Sequence, residues 1–338
     1  MKNNQIEKVY PLSPMQEGML FHSLLGDTQH AYFEQMRLII LNVSYVEQSL
    51  NHLISKYDIF RTLFLYEKLQ RPRQVVLKER KTTVAFHNIV NLSCDEQTAH
   101  IEALLQADRE RGFDLSKDIL MRISIILTKE KEYQLVWSHH HILMDGWCFG
   151  IVMQDFFRFY KMLVMNQALV KEKTTPYSSY IHWLQKQDQT EAITYWENYL
   201  SAYEKPAVMA HQFTHSDGFA YGEVTVPVDK ELSAGIYRIA REHQTTSNNV
   251  FQAIWGLLLQ RYNNTSDVVF GSVVSGRPSE IEDVEQIVGL FINTVPVRIK
   301  SGNEQTFSQL LNAVKQNSLE AKSYEYVSLA DIQSRSEL

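Results

Sequence analysis

Residues 139–147 read His-His-His-Ile-Leu-Met-Asp-Gly-Trp and carry the densest set of chemically active side chains in the chain. An imidazole can take or give a proton near neutral pH, so a histidine held on a loop suits general acid–base work. The apolar run at 133–138 has strand character, Asp145-Gly146 is a turn signal, and the apolar-periodic run at 148–165 has helix character. A strand therefore delivers imidazoles to a loop, and a helix starts just beyond. Strand alternation puts His139 and His141 on one face and His140 on the other. One face should reach a cavity and the other the core. A lone histidine is more often a satisfied structural residue, but the triple, its strand-to-loop placement and the Asp-Gly that follows favour a functional reading. The chemistry suggested is acyl transfer.

Two other chemistries could use the same residues. His139, His141 and Asp145 could form a two-histidine, one-carboxylate metal set, but no further ligand cluster accompanies them, so no metal is expected. Cys148, near a helix start, could be a nucleophile beside His141, although a small half-buried helix residue is the better reading. No Gly-x-Ser-x-Gly elbow, phosphate loop or dinucleotide fingerprint is present. The stretch from Gly271 to Arg277 reads as a strand running into a turn.

The elements that must hold the histidines announce themselves by their caps. Ser13-Pro14-Met15-Gln16 offers an N-cap, a first-turn proline and a capping-box glutamine. Ser44 with Glu47 and Ser93 with Glu96 repeat the box, and Thr306 caps a helix at 307–322. Strands are expected at 32–41, 60–66, 74–77 and 119–127. Residues 171–176, with charge, threonines and a proline, make the best linker. Beyond it, helices are expected at 177–187, 191–203, 230–243 and 247–262, with strands at 219–226, 268–274 and 292–299. Strands and helices interleave throughout, so the fold class is α/β or α+β with mixed sheets.

Composition narrows the function. A net charge of −6 argues against a nucleic-acid binder, and two cysteines are too few for a disulfide scaffold and fit a reducing, cytoplasmic setting. The polar N terminus lacks a signal-peptide core, and no apolar run has membrane-spanning length, so no membrane partner is expected.

His140-His141-Ile142-Leu143-Met144-Asp145-Gly146 resembles the His-His-x-x-x-Asp-Gly signature of the condensation domains of non-ribosomal peptide synthetases. The stretch from Tyr10 to His22 resembles that family's opening block, and Lys56-Tyr57-Asp58-Ile59-Phe60-Arg61-Thr62 its second, with Tyr57 at the usual histidine. The stretch from Val288 to Arg298 matches a later block closely. Tyr177 to Trp183 matches only in its aromatic positions. The last two blocks match weakly, with Tyr324 and Ser328 at the usual His and Pro.

The resemblance implies two chloramphenicol acetyltransferase-like lobes in a V-shaped pseudo-dimer. The N-terminal lobe would span 1–172 and a partial C-terminal lobe 173–338, the second lobe incomplete and the chain correspondingly less soluble or less active. It implies peptide-bond formation, in which a carrier-bound acceptor amine attacks a carrier-bound donor aminoacyl or peptidyl thioester. Both substrates would ride on the 4'-phosphopantetheine arms of upstream and downstream peptidyl carrier proteins beside an adenylation domain, and the domain itself would bind no cofactor. His141 is implied as the catalytic residue and His140 as packing. Asp145 would be a scaffold carboxylate paired with Arg61, so that loss of either harms folding more than chemistry. Gly146 would let the pantetheine arm approach, and Trp147 and Asn293 are candidates for lining the cavity. If Met1 is a native start, residues 1–10 resemble a segment that docks an upstream subunit. The alternatives are an epimerisation domain of the same superfamily and a non-catalytic docking or remnant module. A heterocyclising domain is disfavoured because it carries a two-aspartate motif.

Overall fold

The computed structural model describes residues 5–25, 32–40, 42–208, 224–302 and 304–336. These form two compact units, one of Met1–Gln187 with Ser275–Ile292, the other of Asp188–Val274 with Asn293–Leu338. The division falls later than the expected break after residue 172. Tyr177 and Tyr180 account for this: the Tyr177 hydroxyl donates to Leu290 O at 2.6 Å, and the Tyr180 and Phe291 rings lie 4.5 Å apart. The segment beyond 172 is thereby tied into the first unit, together with residues 275–292.

The first unit holds two sheets. Strands β1 (Ile6–Pro11), β3 (Thr62–Leu65) and β4 (Arg73–Leu77) form an antiparallel sheet in the order β1-β4-β3. Strands β2 (Phe33–Ile40), β5 (Ala85–Asn88), β6 (Met121–Lys129) and β7 (Glu132–His140) form a mixed sheet in the order β2-β7-β6-β5, with only β5 and β6 parallel. β1 and β5 are short strands that the sequence pattern did not announce. Five helices belong to this unit: α1 (Pro14–Leu24), α2 (Val46–Lys56), α3 (Cys94–Arg111), α4 (Gly146–Val164) and α5 (Ser178–Leu184).

Both faces of the mixed sheet are covered, so β7 buries four consecutive residues, Leu135 to Ser138. On one face the fully buried Trp137 meets Phe156 of α4 edge-on, with centroids 5.5 Å apart. On the other, Ile101 and Leu105 of α3 pack on Ile126 and Val136. Ser13 and Ser93 make the expected reciprocal capping boxes, and Thr306, expected as a cap, makes one too. The box at Ser44 does not form. The Glu47 carboxylate instead accepts the Val84 N–H, and the helix starts at Val46 after Tyr45, whose φ is 68°.

In the second unit, β8 (Asp267–Val274) pairs antiparallel with β9 (Asn293–Lys300). Helices α6 (Gln189–Leu200), α7 (Lys230–Glu242), α8 (Ser247–Asn263), α9 (Phe307–Ala321) and α10 (Leu329–Ser334) accompany them. One core gathers Leu259, Ile299 and Leu311, and another the fully buried Trp196 with Val295 and Val327. Gly256 is required here, because a Cβ would lie 2.3 Å from the Ile299 side chain. Of the strand expected at 219–226, residues 219–223 lie outside the described residues, and 224–226 belong to no sheet. Interleaved helices with parallel and antiparallel pairing make this a mixed α/β fold.

Candidate active site

The histidine loop is built at the end of the central strand β7. His139 lies opposite Glu34 on one side and Met121 on the other, and His140 lies opposite Phe33. The ladder then ends in a tight helical turn, His141–Leu143. Its main chain is held from both sides: His140 N donates to Leu120 O at 3.0 Å and His141 N to Tyr32 O at 2.8 Å. From α1, the fully buried Gln16 donates to Ile142 O at 3.2 Å and exchanges side-chain hydrogen bonds with Gln74. The imidazole of His141 is therefore carried on a turn fixed by strand ladders and a helix.

The three rings have different fates. His140 is buried, and its Nδ1 accepts the Ile142 N–H at 3.1 Å, so the ring proton must sit on Nε2. Nε2 then donates to Ser23 Oγ at 3.3 Å, and Ser23 donates its own proton to Met19 O at 2.8 Å. Burial, helped by the neighbouring imidazoles, pushes the His140 pKa down to about 3. A neutral ring with both nitrogens committed packs the loop and moves no proton. Burial and the neighbouring His141 push His139 down to about 4. His141 is half-buried, and its Nδ1 has no hydrogen-bond partner among the described residues.

Asp145 is buried and N-caps α4, with Oδ1 accepting the Cys148 N–H at 3.3 Å. Oδ2 accepts the Phe291 N–H at 3.0 Å, and Oδ1 pairs with Arg277 at 3.5 Å. Arg61 is not its partner. The Arg61 guanidinium pairs with Glu7 at 2.7 Å and donates to the carbonyls of Leu77 and Lys78, bracing β1 against the end of β4. All three contacts are made by Nη1, and they tie Arg61 to the three-stranded sheet rather than to the histidine loop. The arginine that sequence reasoning missed, Arg277, lies 4.0 Å over the Phe291 ring and also donates to Ile287 O at 3.1 Å. Its backbone depends on Gly276, with φ +60°, where a Cβ would fall 1.9 Å from Phe291 O.

The remaining predicted positions divide. Gly146 is exposed, and a Cβ there would meet nothing within 4 Å, so the protein's own packing does not demand glycine. Trp147 is 56% exposed, and its indole N–H donates to Glu285 O at 3.1 Å. Asn293 belongs to the second unit. Its amide donates to Glu325 O and Val327 O, each at 2.7 Å, while its Oδ1 accepts the Thr294 N–H. Both amide hydrogens are engaged, so Asn293 clamps a turn.

This loop lies within a sequence match that runs nearly end to end: a condensation-domain family model covers residues 6–338. The chain belongs to the condensation-domain family. It is 45% identical over 342 residues to gramicidin S synthase 2 of Brevibacillus brevis, covering 100% of this chain and 8% of that protein. It is 44% identical over 340 residues to tyrocidine synthase 2 of Brevibacillus parabrevis, covering 99% of this chain and 9% of that one. The condensation domain thus spans less than a tenth of these relatives. Among solved structures, a four-domain nonribosomal peptide synthetase bound to AMP and glycine shares the fold with a TM-score of 0.75 at 19% identity, covering 98% of this chain and 25% of that one. The X-domain from teicoplanin biosynthesis does so with a TM-score of 0.78 at 20% identity, covering 96% of this chain and 73% of that one.

Within this condensation domain the two rival chemistries fail on geometry. The Asp145 oxygens are taken by two N–H groups and a guanidinium, so the His139, His141 and Asp145 metal set is not assembled. The Cys148 thiol is buried, donates to Gly289 O at 3.1 Å and accepts the Gly289 N–H at 3.3 Å. Burial, with Asp145 nearby, pushes its pKa up to about 12, so no thiolate forms near neutral pH. Cys94 is exposed. Iodoacetamide should therefore alkylate Cys94 in the native protein and leave Cys148 untouched until denaturant is added. Native labelling of Cys148, read by peptide mass spectrometry, would contradict its packing role.

Proposed function

We propose that this condensation domain forms peptide bonds by aminolysis of a thioester, with His141 at the reacting atoms. The single observation behind this is the turn itself: a half-buried imidazole held on main chain that β2, β6 and α1 all fix. The donor would arrive as an aminoacyl or peptidyl thioester and the acceptor as an aminoacyl group, both on phosphopantetheine arms. Their carriers would be upstream and downstream carrier proteins of a larger synthetase that also holds an adenylation domain. The open space at Gly146 supports an arm passing there, since the chain itself leaves the Cβ position empty.

The amine attacks the thioester carbonyl, the C–N bond forms, and the tetrahedral intermediate collapses with loss of the donor's pantetheine thiol. The amine gives up one proton, and the thiolate takes one. With an amine pKa of ~7.8, roughly one acceptor in seven is already neutral at pH 7. Much of the acceleration can then come from holding two tethered reactants in line. No described helix is long and apolar enough to cross a membrane. Two cysteines, too few for a disulfide scaffold, fit a reducing cytoplasmic setting.

The test is dipeptide formation with separately loaded donor and acceptor carriers. Dipeptide on the acceptor carrier, dependent on this chain, is the expected result. Recovery of an epimerised donor without condensation, or no chain-dependent product at all, would overturn the reading.

A further inference from the structure

A half-open hollow on the α3 side of the mixed sheet plays no part in this chemistry. Its volume is about 580 Å³, within the range typical of small-molecule sites. Its floor is apolar, formed by the buried Leu105, Ile126 and Val136. Its walls carry four cations, Arg80, Arg111, Lys117 and Arg122, against two carboxylates, Asp108 and Asp118.

Two of the cations are already balanced. Arg122 chelates Asp108, which also accepts from Gln35 at 3.0 Å, and Lys117 pairs with Asp114 at 2.7 Å. Arg80 and Arg111 remain. Arg80 is half-buried and donates only to main-chain oxygens, those of Asp118 at 2.7 Å and Lys117. Burial lowers its pKa and nearby Asp118 opposes that, yet the Asp118 carboxylate is itself turned to the Asp114 N–H at 3.0 Å. Arg111, the last residue of α3, is exposed at the rim, and neither arginine has an ion pair among the described residues. A guanidinium facing neutral carbonyls keeps its charge, and a planar carboxylate matches its donor geometry.

We propose that this cavity binds a small amphiphilic anion, a carboxylate head between Arg80 and Arg111 with a short alkyl tail on Leu105, Ile126 and Val136. Head and tail requirements are separable: charge attracts the head, and apolar burial holds the tail. The proposal is independent of the peptide-bond reading, since neither the cavity nor its test involves His141.

The experiment is isothermal titration of the full chain with octanoate, octanamide and acetate. Octanoate should bind saturably at one site. Octanamide, which lacks the charge, and acetate, which lacks the tail, should each bind at least about tenfold more weakly. Arg111→Gln removes an exposed, unpaired side chain and should leave the melting temperature unchanged while weakening octanoate about tenfold. Octanamide binding as well as octanoate, acetate matching octanoate, or wild-type octanoate affinity in Arg111→Gln would overturn the proposal. So would the absence of saturable octanoate binding.

Discussion

Replacing Asp145 with alanine should destabilise the first unit by about 3–5 kcal/mol, the magnitude expected when one member of a buried charge pair is removed. The Arg277 guanidinium loses its carboxylate and the Phe291 N–H loses its acceptor, while the Cys148 N–H keeps only the main-chain oxygen of residue 145. The guanidinium matters most, because its side chain is only 5% exposed and would be left charged with no counter-ion. Asp145→Asn should be intermediate, since the amide oxygen can keep one N–H while the amide nitrogen faces a donor. Urea titration of the single and double variants separates this account from the one the family pattern suggests. Asp145→Ala and Arg277→Ala should couple by about 0.5–3 kcal/mol, whereas Asp145→Ala and Arg61→Ala should add to within about 0.5 kcal/mol. Coupling of Asp145 to Arg61 rather than Arg277 would show the assignment to be wrong. Arg61→Ala should be destabilising by itself, because Glu7 and two carbonyls lose their donor.

The mistaken partner shows where a sequence stops being readable. Caps at Ser13, Ser93 and Thr306 are legible because donor and acceptor lie three residues apart, so spacing contains the whole interaction. The same logic fails at Ser44, since the Glu47 carboxylate finds a main-chain N–H 37 residues away. Arg277 lies 132 residues from Asp145 and follows an ordinary strand and turn, so nothing local marks it. Strand alternation separates His140 from His139 and His141 and the resemblance implies its packing role, but its fixed tautomer depends on Ser23, 117 residues distant. Gln16 is visible as a capping-box residue, yet its second task, holding Ile142 O, exists only in three dimensions. Resemblance locates the histidine loop and the motif carboxylate. It does not say which guanidinium that carboxylate meets.

His141→Ala should lower peptide-bond formation by about 10²–10⁴-fold, the usual contribution of a positioned proton-transfer group, while leaving the melting temperature close to that of the wild-type chain. The stability expectation follows from the turn: His141 holds it through its main chain, to Tyr32 O and Met144 N, and alanine keeps both bonds. What the imidazole contributes is narrower. Among the described residues its Nδ1 has no partner, so none of their carboxylates orients the ring through Nδ1 in the way a third group orients the base of a catalytic triad. A ring without that orienting group favours hydrogen bonding to the amine or to the tetrahedral intermediate over a strong-base role. An acceptor whose amine is already neutral at the assay pH distinguishes the two. If His141 mainly removes the amine proton, that acceptor should recover most of the lost rate in His141→Ala. If it stabilises the intermediate, the deficit should persist with either acceptor, and persistence is the expected result. Near-wild-type dipeptide formation by His141→Ala with ordinary acceptors would remove His141 from the chemistry and leave the fixed turn as a positioning element alone.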